Sequence, residues 1–108
     1  MTQVSAMTNI ARLIAEDGEL PPVNVDVTWE GHVRLRGFYA PSGERLTADE
    51  AAPVRDAWAN ALGIPATPAF DAESSGRPMR YFEAEGMWAG FAVTLMVIGE
   101  LAPAEVSP

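Results

Sequence analysis

The sequence has 108 residues, no cysteine and a formal net charge of −8, from 15 acidic and 7 basic residues. This length predicts one domain with a single modest core, and the absence of cysteine excludes disulfides, zinc–thiolate sites and cysteine nucleophiles. The acidity argues against sequence-independent nucleic-acid binding and against adhesion to anionic membranes, because both use clustered basic residues. We therefore expect neither a nucleic-acid partner nor a membrane partner.

All the basic residues are arginine, and alanine, glycine and proline are frequent. This bias is typical of a GC-rich genome, such as that of a high-GC bacterium or one of its phages. The acidic residues are scattered along the chain, so we interpret the charge as a source of solubility and not as imitation of nucleic acid. The first residues do not resemble a signal peptide, and we expect a cytoplasmic protein.

Apolar residues at helical spacing predict a short N-terminal helix over Asn9–Asp17, with Thr8 as its cap and Gly18 at its end. The two prolines of Leu20–Pro22 forbid continuation of this helix and predict an extended connector. The apolar face of the predicted helix consists of Ile10, Leu13 and Ile14.

Two segments of alternating polarity, Val23–Trp29 and Val33–Tyr39, predict a β-hairpin. A three-residue loop over Glu30–His32 keeps the apolar side chains of both strands on one face, whereas a two-residue loop mixes the faces. The expected cross-strand pairs are Trp29–Val33, Val27–Leu35, Val25–Gly37 and Asp26–Arg36.

A second helix is predicted from its start signal and its apolar stripe. Thr47 and Glu50 have the spacing of a capping box, and apolar residues at helical spacing predict a helix over Val54–Leu62. Gly63 and the residue after it predict a Schellman-type end. Pro53 leaves three alternatives open, because the helix could be continuous, kinked or preceded by a separate turn.

The segment Pro65–Pro78 is predicted as a long loop, a kind of segment that is either mobile or functional, with Phe70 as its apolar anchor. A second hairpin follows, in which the strand Met79–Ala84 turns at Glu85–Gly86 into Met87–Ile98. That last run carries no charge and favours extended structure, so we expect it to be an internal strand of the sheet.

These elements predict an α+β domain over residues 1–98 in the order α-ββ-α-ββ, followed by a disordered tail at residues 99–108. The predicted sheet is four-stranded and antiparallel. One main helix packs on a face of this sheet, and the short N-terminal helix lies beside it.

No catalytic or metal site is predicted from the sequence. His32 is the single histidine, but neither a nucleophile nor a second metal ligand accompanies it. Asp71–Gly76 resembles the start of a calcium loop, yet Phe82 stands where such a loop needs a bidentate glutamate. No motif indicates a cofactor.

Three arginines support an alternative function. Arg34 and Arg36 share one strand face and Arg80 lies near the start of the next predicted strand, so they could hold a phosphate or a carboxylate. The protein would then bind an anionic small molecule, or act on it as an enzyme, in a pocket between sheet and helix. Neighbouring acidic residues could equally neutralise these arginines in solvated pairs.

The aromatic residues support the preferred function. They cannot all face one core if the strands alternate. With so few helices, one sheet face is either left partly uncovered, as a surface for a partner, or covered by the N-terminal helix and the long loop. We therefore expect a small acidic interaction protein, of inhibitor, immunity or accessory type, which binds a protein partner or a second copy of itself. The residues predicted to form the contact are Phe38, Phe70, Phe82 and Trp88.

Overall fold

The structure is a computed structural model that describes residues 2–102, and it confirms the α+β class. Five strands form one sheet in the order β1-β2-β5-β4-β3. Strands β2 and β5 are parallel, and every other neighbouring pair is antiparallel. The elements are α1 (Thr2–Glu16), β1 (Asn24–Val27), β2 (Val33–Gly37), α2 (Ala48–Leu62), β3 (Phe70–Ser74), β4 (Arg77–Trp88) and β5 (Phe91–Glu100).

The predicted four-stranded antiparallel sheet is wrong in two respects. Strand β3 lies inside the segment predicted as a loop. It was missed because it is a mostly exposed edge strand, and its polar residues do not show the alternation expected of a strand with one buried face. The parallel pairing of β2 with β5 joins strands that are far apart in the chain. Local patterns of polarity carry no signal for such a pairing.

Helix α1 begins at Thr2, well before the predicted start at Asn9. Its first turns are held by tertiary contacts, since Ala6 is fully buried and the Gln3 side-chain amide donates a hydrogen bond to the Val27 carbonyl over 2.9 Å. The predicted bounds followed only the apolar stripe and missed these turns.

The first hairpin has a longer loop than predicted. Val27 pairs with Val33 and Asp26 with Arg34, and the turn is closed by a hydrogen bond of 2.8 Å from the Gly31 N–H to the Thr28 carbonyl. The predicted register is therefore wrong by two residues on one strand. Because a two-residue shift leaves every side chain on its predicted face, the alternation of polarity could not distinguish the two registers.

Helix α2 runs without interruption through Pro53, and both of its predicted ends are confirmed. Thr47 and Glu50 form the two hydrogen bonds of a capping box, and Gly63 ends the helix in a left-handed conformation with φ of 66°. The Ile64 N–H then donates to the Ala59 carbonyl over 3.1 Å, as a Schellman motif requires.

The capping box makes the stability of α2 depend on pH. Hydrogen bonds from the backbone and the side chain of Thr47 hold the pKa of the Glu50 carboxyl below its ordinary value. A carboxyl with a lowered pKa in the folded state stabilises the fold above its unfolded pKa, and this contribution is lost as the pH falls. We expect Glu50→Gln to lose less stability than the wild type between about pH 5 and pH 3, measured by urea unfolding at each pH. Parallel curves for the two proteins would contradict this assignment.

The second hairpin turns later than predicted. Its turn is formed by Ala89 and Gly90, with φ of 50° and 85°, so Met87 belongs to β4 and Gly86 lies within that strand. Strand β5 occupies the middle of the sheet, which confirms the predicted internal position for the part of the apolar run that it contains.

The predicted end of the domain at Ile98 falls too early. Strand β5 includes Gly99 and Glu100, and Leu101 is buried. Most of the predicted tail, residues 103–108, lies outside the described residues.

Both helices pack on the same face of the sheet. Their buried residues Ala6, Ile10 and Trp58 belong to one apolar cluster with the inward-facing residues of β2, β4 and β5. Arg55 also ties α2 to its surroundings, because its guanidinium donates to the carbonyls of Thr67 and Glu83 over 3.1 and 3.0 Å.

Candidate functional site: the open face of the sheet

The opposite face of the sheet carries neither of the two helices within residues 2–102, and we call it the open face. It is built by the strand residues that alternate with the core positions. Its central part consists of Arg34 and Arg36 on β2, Thr94, Met96 and Ile98 on β5, and Tyr81, Glu83 and Glu85 on β4.

One row of apolar and aromatic side chains crosses the open face. The strand register places Ile98 opposite Tyr81 and Tyr81 opposite Phe70. Phe38 directly follows Gly37, the last residue of β2, which pairs with Val97 of β5. Phe38 therefore lies near Ile98, and the two side chains line a common cleft. The rings of Phe70 and Tyr81 are stacked, with centroids 5.0 Å apart and planes 7° from parallel. Ile98 is only 8% exposed, whereas Phe70 remains 47% exposed, so the Phe70 end of this row is accessible to a partner.

The loop after β2 holds a second aromatic ring at the end of this row. Tyr39 forms a bridge with Arg45, and the Leu46 N–H donates to the Phe38 carbonyl over 2.9 Å. Phe38 and Tyr39 together separate two shallow clefts of about 180 and 220 Å³, the first lined by Arg36 and the second by Arg45. Both clefts are smaller than the roughly 300 Å³ at which small-molecule sites begin.

Two arginines beside these rings have no carboxylate partner among residues 2–102. In the part of the chain that the structure describes, the side chains of Arg36 and Arg45 form no ion pair and no hydrogen bond. We call this combination the aromatic–arginine patch. It consists of Phe38, Tyr39, Phe70, Tyr81, Arg36 and Arg45.

The structure separates the four residues that were predicted to contact a partner. Phe38 and Phe70 lie on the open face, whereas Phe82 points under the helices, is only 7% exposed and has the Arg55 guanidinium 5.6 Å from its ring centroid. Trp88 is half-buried and packs against the same core cluster. Phe82 and Trp88 therefore do not belong to the patch.

Three residues of the patch were missed from the sequence. Alternation required that only one of the neighbours Tyr81 and Phe82 face the core, but it could not show which one. Tyr39 and Arg45 come together only through the fold of the loop between β2 and α2. Their aromatic and basic character next to Phe38 was the one signal in the sequence that could have found them.

The three arginines of the alternative site do not converge. Arg80 faces the helix side of the sheet and forms a two-point ion pair with Asp71, over 2.8 and 3.2 Å. This pair lowers the pKa of the Asp71 carboxyl. Arg34 is paired with Asp26 on the open face, which leaves Arg36 as the one arginine of the three without a carboxylate partner among residues 2–102.

His32 lies at the far end of the open face, where its Nε2 atom is 2.7 Å from the Thr94 hydroxyl. A histidine beside a hydroxyl is one part of a nucleophilic site, but such a site also needs a group that orients the second ring nitrogen. No hydrogen bond to that nitrogen is formed by the described residues. We interpret the contact as a structural hydrogen bond that links the first hairpin loop to β5.

The described residues contain neither a candidate metal site nor a candidate membrane span. Within residues 2–102, no group of three or more histidine, aspartate or glutamate side chains is placed to hold a metal ion. Neither α1 nor α2 has the length and hydropathy that crossing a bilayer requires.

Comparison with known proteins gives no relative. No protein family, no curated protein and no solved structure matches this chain. The function is therefore inferred from the residues of the open face.

Proposed function

We propose that this protein is a non-catalytic interaction module that binds a protein partner through the aromatic–arginine patch. The observation that carries the proposal is the juxtaposition of four aromatic rings with two arginines on the open face and the loop beside it. Among residues 2–102, these arginines have no ion-pair partner and neither helix covers this face. The partner surface that fits this patch presents an apolar side chain with carboxylates on either side of it.

The chemistry of the patch is that of a binding hot spot. Tyrosine, tryptophan and arginine are enriched among residues that dominate binding energy, because they bury much area while retaining a polar group. The stacked rings of Phe70 and Tyr81 rest on hydrogen-bonded strands, so little side-chain entropy remains to be lost on binding. Phe38 and Tyr39 form the ridge that a partner would have to enclose.

The charge of the patch selects the class of partner. The chain is acidic overall, and on that background Arg36 and Arg45 are positive groups without carboxylate partners in the part of the chain that the structure describes. Carboxylates on the partner would complete these pairs and would steer its approach. A nucleic acid is a poorer fit, because two arginines cannot offset the repulsion from a net charge of −8.

The first test is affinity capture with tagged wild-type protein from a lysate of the organism that carries the sequence, with quantification by mass spectrometry. A double variant, Arg36→Glu with Arg45→Glu, removes both positive groups, and Arg12→Glu is its control because Arg12 is exposed, unpaired among the described residues and distant on α1. We expect one protein to be retained by the wild type and by the control and to be lost from the double variant.

The captured protein then allows a direct measurement by isothermal titration calorimetry. Removing a hot-spot aromatic costs about 2 kcal/mol or more, so we expect Phe38→Ala to weaken the affinity by about thirtyfold. Raising the salt concentration should also weaken the wild-type complex, because dissolved ions screen the charge pairs at the rim of an interface. Equal affinity of the wild type, Phe38→Ala and the arginine double variant would exclude the patch as the binding site.

A further inference from the structure

We propose that the cleft beside Arg36 is a carboxylate-binding subsite of the aromatic–arginine patch, in which Arg36 and Asn24 together hold one carboxylate of the partner. This inference rests on the proposed function and names the chemical group that the patch recognises at this point. The cleft has a volume of about 180 Å³, and its lining includes Asn24, Arg36, Phe38 and Tyr39. We call it the Asn24–Arg36 cleft.

The strand register places the side chain of Asn24 beside that of Arg36. Asn24 of β1 pairs with Arg36 of β2, and two residues further along the same hairpin Asp26 pairs with Arg34. Pairs that are two residues apart repeat the same hydrogen-bonding geometry and lie on the same face of a sheet. Asn24 and Arg36 are therefore neighbours on the open face, in the same arrangement as Asp26 and Arg34.

The neighbouring pair shows what this arrangement does to an arginine. Asp26 forms an ion pair with Arg34 across the two strands. At the equivalent position beside Arg36 the chain has an asparagine, and among residues 2–102 the side chains of Asn24 and Arg36 form no ion pair and no hydrogen bond. The same backbone geometry thus neutralises one arginine and leaves the other open to a carboxylate from outside.

The donors of the cleft match a carboxylate. The planar guanidinium of Arg36 presents N–H groups in a fork that binds both oxygens of a carboxylate, and the Asn24 amide offers further N–H donors. Among the described residues that line the cleft, none is acidic and Arg36 alone is charged at neutral pH. On a chain of net charge −8, an anion in this cleft therefore meets no carboxylate in the lining.

The size and the lining of the cleft indicate what carries the carboxylate. A volume of about 180 Å³ is below the range of small-molecule sites, so the cleft admits the end of a side chain or of a polypeptide and not a whole metabolite. The rings of Phe38 and Tyr39 border it, where an apolar side chain of the same ligand packs against them. The ligand class is a peptide segment with a carboxylate next to an apolar residue.

Short peptides test the cleft without the partner. Acetyl-Phe-Glu-amide has only a side-chain carboxylate, acetyl-Phe-Gln has only a terminal carboxylate, and acetyl-Phe-Gln-amide is neutral. Each is titrated into the full chain at constant ionic strength, and the side-chain N–H resonances of Arg36 and Asn24 are followed by NMR. We expect saturable shifts with a dissociation constant on the order of 10 mM for the acidic peptides and none for the neutral one. The tighter acidic peptide identifies the source of the carboxylate as an acidic side chain or a chain end.

Asn24→Asp is the variant that separates this subsite from a general attraction of anions. It places a carboxylate beside Arg36, as Asp26 lies beside Arg34, so we expect the affinity for the acidic peptides to fall by about tenfold or more. Asn60→Asp is the matched control, because it adds the same charge at an exposed position of α2, on the other face of the sheet. Its affinity should stay within about twofold of the wild type, since solvent and salt screen a distant surface charge.

Three results would overturn the inference. The first is that acidic and neutral peptides shift the resonances equally or not at all, because no carboxylate would then be recognised. The second is equal affinity of Asn24→Asp and Asn60→Asp, which would place the bound carboxylate elsewhere. The third is equally tight binding of inorganic phosphate, which would show an unselective anion site.

The peptide titration and the affinity capture fail independently. A protein partner that is retained while the acidic peptides do not bind would leave the patch in place without this subsite. Acidic peptides that bind as expected while the capture retains no protein would support the subsite and remove the evidence for a stable protein partner.

Discussion

Replacing Gly99 with alanine should lower the free energy of unfolding by about 3 kcal/mol, the upper part of the range for overpacked cores. A Cβ atom at this position would lie 2.6 Å from the Ala48 Cα atom and 2.6 Å from the Thr47 carbonyl oxygen. Both atoms belong to the backbone at the start of α2, so the strain cannot be relieved by rotating a side chain. Helix α2 must move away from β5, and its capping box moves with it.

The expected loss corresponds to a fall in the melting temperature of about 15 °C, measured by circular dichroism. Gly18→Ala is the control, because nothing lies within 4 Å of the added methyl group and φ at Gly18 is not in the left-handed region. Its effect should stay within about 0.5 kcal/mol. If the two alanine variants are equally stable, α2 does not rest on β5 at Gly99.

Replacing Trp58 with alanine should cost about 4 kcal/mol, as expected for a large aromatic side chain in a packed core. Trp58 is among the largest fully buried side chains of the described residues, and its indole N–H donates to the Pro21 carbonyl over 2.8 Å. This contact joins α2 to the connector between α1 and β1. Losing it creates a cavity and leaves the Pro21 carbonyl without its donor.

The variant Trp58→Phe separates these two contributions. Phenylalanine keeps most of the apolar volume but cannot donate a hydrogen bond, so its cost should be about 1 to 2 kcal/mol. Urea unfolding followed by circular dichroism measures both variants without relying on tryptophan fluorescence, to which the exposed Trp29 also contributes. A cost below about 1 kcal/mol for Trp58→Ala would show that this core is much looser than its burial indicates.

Several elements of this protein could be predicted from the sequence because their causes are local. The capping box of Thr47 and Glu50 and the glycine at Gly63 define the ends of α2 by backbone hydrogen bonds within a few residues. The alternation in β1 and β2 assigned the faces of the first hairpin correctly. The apolar run was correctly expected to contain an internal strand, since β5 is covered by neighbours on both edges.

Only the tertiary structure decided which surfaces are open. The register of the first hairpin, and with it the exposure of Trp29, follows from the turn at Gly31 and not from the alternation of polarity. The contact between Gly99 and α2 joins residues far apart in the chain. The aromatic–arginine patch likewise requires β2 to pair with β5 and β3 with β4, which brings Phe38 and Phe70 into one row. Such long-range pairings depend on the burial of the whole core, and no short stretch of sequence determines them.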